Sequence, residues 1–98
     1  AALQVWLPLA NQNDREAQAI VGELYEKGLG RAPDYRMAAE WYRKAAETGE
    51  ARAQINLAHL YEKGLGVEKD PAAALRWYRQ AAGVDLALDP QTGARQGE

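Results

Sequence analysis

Few residues in this chain could do acid–base or metal chemistry, and they are scattered. His59 is the one histidine, and there is no cysteine. Thiolate nucleophiles, disulfides and zinc sites of the Cys/His type are therefore excluded, and no metal or other cofactor is expected. The acids nearest His59 are Glu62, three residues on, and Glu23 or Glu26 on a neighbouring helix. A single imidazole beside carboxylates reads as a surface residue. No nucleophile–base pair and no carboxylate pair with a plausible role accompanies it, so the chain reads as non-catalytic. Gly28-Leu29-Gly30 and Gly64-Leu65-Gly66 could suggest phosphate loops. They lack the dinucleotide and P-loop spacings, and they follow helical rather than strand patterns.

Charge narrows the class further. Twelve Lys+Arg stand against 14 Asp+Glu, a formal charge of −2, so a nucleic-acid partner is not indicated. No apolar run approaches the roughly 20 residues of a membrane helix, so no membrane insertion is expected. Residues 1–10 lack a basic stretch and a Met start. They read as the trimmed front of a longer product rather than an intact signal peptide. The lack of cysteine agrees with a periplasmic, secreted or cytoplasmic location alike.

What positions these residues is an internal repeat. Leu24-Tyr25-Glu26-Lys27-Gly28-Leu29-Gly30 returns unchanged as Leu60-Tyr61-Glu62-Lys63-Gly64-Leu65-Gly66, an offset of 36 residues. Between Arg15 and Ala46, 16 of 32 positions match their partner at that offset, including Trp41/Trp77 and Tyr42/Tyr78. Backwards, Trp6 aligns with Tyr42 and Ala10 with Ala46. The chain is thus expected to hold a leading half repeat (1–14), two full repeats (15–50 and 51–83), a C-terminal cap (84–90) and a flexible tail (91–98).

Each repeat reads as two helices. Twenty alanines and only six valines and isoleucines make an all-α composition. Ala53, Leu57, Leu60 and Tyr61 share one helix face, as do Ala17, Val21, Leu24 and Tyr25. Gly28 and Gly64 can take the left-handed conformation that ends a helix, and Asp34 and Asp70 can cap the next one. Pro71 suits a first helical position, whereas Pro8 should kink or weaken the helix that holds it. The spacing predicts helices near 2–11, 15–27, 35–48, 51–63 and 71–82. Small residues at Gly22 and Ala58 should let a neighbour approach closely. Trp41, Leu24, Tyr25, Leu57, Leu60 and Tyr61 should be largely buried. Trp41, Tyr42, Trp77 and Tyr78 should fill the wedges between hairpins.

The pattern from Ala17 to Gly49, and again from Ala53 to Ala82, resembles the Sel1-like repeat, a relative of the tetratricopeptide repeat. The resemblance implies a right-handed α/α solenoid of antiparallel hairpins. It also implies a protein–protein interaction module, an adaptor of the kind found in bacterial members. Arg31-Ala32-Pro33 departs from the family's small apolar residue, which Val67 supplies in the second repeat. Some relatives carry a disulfide in each repeat and are linked to β-lactam binding; without cysteine, that link does not transfer. A solenoid of this kind presents a concave wall formed mainly by the first helix of each hairpin.

By helical angle, that wall should carry Glu16, Ala19, Glu23, Glu26 and Lys27, with Ile20 at the edge, and then Arg52, Ile55, His59, Glu62 and Lys63, with Asn56 at the edge. Asn56 aligns with a position where tetratricopeptide repeats use asparagine to hold a peptide backbone. The expected partner is a protein or peptide bound on this face. Two other readings stay open: end-to-end self-association through apolar solenoid ends, giving a homo-oligomer, and an inhibitor or immunity-type protein that blocks a partner by docking.

Overall fold

The computed structural model describes residues 2–28 and 31–83. Five helices follow one another: α1 (Ala2–Asn11), α2 (Arg15–Lys27), α3 (Tyr35–Glu47), α4 (Ala51–Lys63) and α5 (Pro71–Ala82). There is no strand among the described residues. The cap expected at 84–90 and the tail expected at 91–98 fall outside the described residues.

Local chemistry sets the boundaries. Asp14, Asp34 and Asp70 each accept a hydrogen bond from the backbone N–H three residues on, and Glu50 does the same for α4. These bonds satisfy donors that have no partner inside the helix. The left-handed Gly28 and Gly64 close α2 and α4. Pro71 opens α5 at its first turn. Helix α1 runs on past Pro8 to Asn11 without a break.

Each helix packs on the next in the chain, and α2 also touches α4. Helices α2 and α4 therefore form one layer, and α1, α3 and α5 the other. Two clusters make the core. One joins Ala19, Ala38, Ala39, Tyr42, Ala45 and Ala46 to Ala53, Leu57 and Leu60 of α4. The other joins Ala10, Ala17, Val21 and Trp41, with Trp6 and Leu7 of α1 against it. Alanine on facing helices brings the backbones close, and the aromatic rings fill the gaps that remain. Gly22 shows how close: a Cβ there would come within 2.5 Å of the Tyr42 ring.

Trp41, Leu57 and Leu60 are buried, as the sequence predicts. Leu24, Tyr25 and Tyr61 are half-buried instead. They sit in the last turns of α2 and α4, where the chain leaves the hairpin and covers them on one side only. Trp77 and Tyr78 are also half-buried, although Trp41 and Tyr42 at the same repeat positions are enclosed.

Candidate functional site

All the residues that the sequence assigns to the concave wall lie on α2 and α4. A shallow depression of about 250 Å³ between these helices is lined by Glu23, Glu26, Lys27, Arg52 and Asn56. Its centre is Glu23. The Arg52 guanidinium donates to both Glu23 carboxylate oxygens, through Nε to Oε2 and through Nη2 to Oε1. Asn56 Nδ2 donates to the same Oε2 at 3.0 Å. A residue of repeat one is thereby fastened to two residues of repeat two. The bidentate geometry fixes the guanidinium plane as well as its position. This hydrogen bonding to Glu23 holds the Arg52 guanidinium above its ordinary pKa.

Glu26 is held differently. The buried Tyr42 hydroxyl donates to its Oε1 at 2.6 Å. Burial first, and the adjacent Glu26 carboxylate second, push the Tyr42 phenol well above its ordinary pKa. The bond recurs one repeat on, where Tyr78 donates to Glu62 Oε1 at 2.9 Å. There, burial and then Glu62 raise the phenol in the same direction. A third repeated pair lies beneath the surface. Gln18 and Gln54 donate their amides to the carbonyls of Ala10 and Ala46, at 3.3 and 3.1 Å. Each ties the start of α2 or α4 to the end of the helix before it.

The other expected wall residues divide. Glu16, Lys27, His59, Glu62 and Lys63 are exposed, and Ile20 is half-buried. Ala19 is not on the wall: it is fully buried, in the cluster with Ala53 and Leu57. The reason is that α4 packs along the side of α2 that carries Ala19. Ile55, at Ala19's position in the second repeat, is 47% exposed because no described helix lies beside α4 there. The sequence assigns Tyr42 and Tyr78 to the wedges between hairpins and not to the glutamates they hold, and it does not single out Arg43, whose guanidinium donates to the Tyr61 hydroxyl. The signal for them was present: each of these residues is identical at the 36-residue offset, and so are the glutamates that the tyrosines hold.

No group of three His, Cys, Asp or Glu among the described residues is placed to hold a metal. No helix among them is long and apolar enough to cross a membrane. The site offers an oriented amide, a fixed guanidinium and carboxylates on a rigid pair of helices.

The Sel1 repeat family model matches residues 15–49 and 51–83. The chain belongs to the Sel1 repeat family. Its repeat is of a type that typically mediates protein interactions and is generally non-catalytic. Solved structures agree. The crystal structure of a Sel1 repeat protein from Oxalobacter formigenes is 49% identical, with a TM-score of 0.70 over 74% of this chain and 30% of that one. A protective antigen of uropathogenic Escherichia coli, which displays an SLR fold, is 42% identical, with a TM-score of 0.75 over 80% of this chain and 17% of that one. This Sel1 repeat chain thus spans less than a third of either protein. No curated protein matches it.

Proposed function

We propose that this Sel1 repeat pair binds an extended segment of a partner protein in the groove between α2 and α4. The observation that carries the reading is the state of Asn56. Glu23 accepts one of its two amide protons and fixes the amide plane. The amide's second proton and its carbonyl oxygen can then pair with the N–H and C=O of a passing peptide backbone. Because Asn56 is held before the partner arrives, binding costs less side-chain entropy. Arg52, more than half exposed, has guanidinium donors beyond the two given to Glu23.

Charge sets the orientation. Glu23 is neutralised by Arg52, so Glu16 and Glu26 supply the acidic end, and a partner segment should be basic there. Such rim charges govern association rate and its salt dependence more than they govern affinity.

The test is to select peptides from a random display library on the intact protein and then measure them against Asn56→Ala. Loss of binding by about tenfold, roughly 1.4 kcal/mol, is the expected result. Selected peptides that bind the Asn56→Ala and Arg52→Ala variants as tightly as the parent would remove the groove reading.

A further inference from the structure

Glu23 and Glu26 lie three residues apart on α2, and both border the depression that Asn56 also lines. They differ in what they hold. Glu23 gives both carboxylate oxygens to the Arg52 guanidinium and is neutralised by it. Glu26 gives only Oε1, to the Tyr42 hydroxyl at 2.6 Å, a partner that brings no charge. Among the described residues no cation pairs with Glu26: Arg52 is taken by Glu23, and Lys27, which borders the same depression, closes on neither carboxylate. Glu26 is also half-buried, whereas Glu16, the other acid at this end, is exposed. A carboxylate partly withdrawn from water, fixed in place and uncompensated is a receptor for a cation that arrives with the partner. The lining of the depression belongs to α2 and α4 at the joint of the two repeats, away from both solenoid ends.

We propose that Glu26 selects the groove's partner by taking the ε-ammonium of a lysine carried by the bound segment. Selection of this kind rests on the proposed binding in the groove between α2 and α4, and it names the side chain that the groove requires. Lysine rather than arginine follows from the oxygens. A guanidinium binds a carboxylate best as a fork to both oxygens, as Arg52 binds Glu23. At Glu26 the Tyr42 hydroxyl already engages Oε1, and Oε2 is left. An ammonium is a compact point charge that can settle on one oxygen. Burial, and then Glu26 itself, raise the Tyr42 phenol, so the hydroxyl keeps its proton and Oε1 stays engaged. The amine comes from a side chain and not from a chain terminus, because Asn56 is set to hold a passing backbone. Glu16, in water, steers the approach and is screened by salt; Glu26, half-covered, adds to the grip.

The experiment titrates three peptide libraries into the isotopically labelled full chain, followed by nuclear magnetic resonance. Each library consists of acetylated and amidated heptapeptides with a fixed central residue: lysine, arginine or Nε-acetyllysine. The other positions are randomised among uncharged residues, so the fixed residue carries the only charge. Saturable shifts at Glu26 and Asn56 are expected. The lysine library should bind about tenfold tighter than the acetyllysine library and about threefold tighter than the arginine library. In a Glu26→Gln chain, whose amide oxygen can still accept from Tyr42, the lysine library should fall to the acetyllysine level. In a Tyr42→Phe chain, which releases Oε1, the arginine library should close its gap to lysine; a merely structural Tyr42 would leave that ratio unchanged. Three libraries that bind equally, shift Asn56 and are lost in an Asn56→Ala chain would overturn the lysine selection and leave the groove standing. A lysine preference that survives Glu26→Gln would overturn the selection too, as would arginine bound as tightly as lysine. Libraries that leave Asn56 unshifted would overturn the groove, and the selection with it.

Discussion

Tyr42 and Tyr78 make the same hydrogen bond to the same kind of partner, one repeat apart. Yet Tyr42 is closed off from solvent and Tyr78 is not. The pairs Ala19/Ile55 and Ala39/Leu75 differ in the same direction. Repeat one is covered by α4, while no described helix covers repeat two. In a stacked architecture, then, burial belongs to the joint between neighbours more than to the unit, as nearest-neighbour energetics of repeat proteins require. The unit's sequence decides its helices; the next unit decides which of its residues become core.

The sharpest test of that comparison is a matched pair of truncations. Trp41→Ala should cost about 3–5 kcal/mol, a large share of a small domain's stability. Trp77→Ala, at the half-covered counterpart, should cost less than half as much. Equal losses in chemical denaturation would break the comparison.

A close approach gives the next largest effect. Gly22→Ala places a methyl group against the Tyr42 ring and should cost about 1–3 kcal/mol, even though alanine is the better helix former. In repeat two Ala58 already occupies that position, and Ala58→Gly should cost about 1 kcal/mol, the ordinary helix penalty of glycine. Thermal melts of both variants would show whether the tight fit is peculiar to the covered repeat.

Alkaline pH separates the two tyrosines. The Tyr42 phenol is raised in the folded state, so the folded chain keeps a proton that the unfolded chain gives up above pH about 10. Its contribution is complete below that pH and is lost as pH rises, by at most about 1.4 kcal/mol per pH unit. The Tyr42→Phe chain should lose stability less steeply between pH 10 and 11 than the parent. Tyr78→Phe should change that slope less, since its ring is only half-buried. Equal slopes in all three chains would contradict the assignment.

The smallest effect expected is at the inter-repeat clamp. Glu23→Gln removes the charge that Arg52 grips; the guanidinium is more than half exposed while the carboxylate is largely covered, and the loss should be about 1 kcal/mol. The loss should shrink in high salt. His59→Gln, at the unclamped counterpart, should be neutral. A large, salt-independent loss at Glu23 would show that the clamp acts through packing instead.

The helices were legible in the sequence to within a residue, because capping aspartates and terminating glycines mark both ends of most of them. Leu57, Leu60 and Trp41 were legible as core for a related reason: each lies on the stripe that faces its own hairpin partner or the hairpin before it. Helical angle places Ala19 opposite that stripe, which in a two-helix unit means solvent. An inner helix of a solenoid has a further contact side, toward the next repeat, and Ala19 lies there. The union of Glu23 with Arg52 and Asn56 was hidden likewise, since it depends on the rotation between successive hairpins, which no single repeat encodes. The tyrosine–glutamate bonds were within reach, because both partners recur together at the repeat offset.

Among the described helices, α2 and α4 are the one pair that touch without being consecutive in the chain. Every other helix contact joins neighbours in sequence, so the chain has few long loops to close before its contacts form. Topologies of this kind fold on the microsecond-to-millisecond scale. Either hairpin can nucleate, and the joint around Glu23 then closes between units already formed. Substitutions at Glu23, Arg52 or Asn56 should therefore quicken unfolding while leaving the folding rate nearly unchanged.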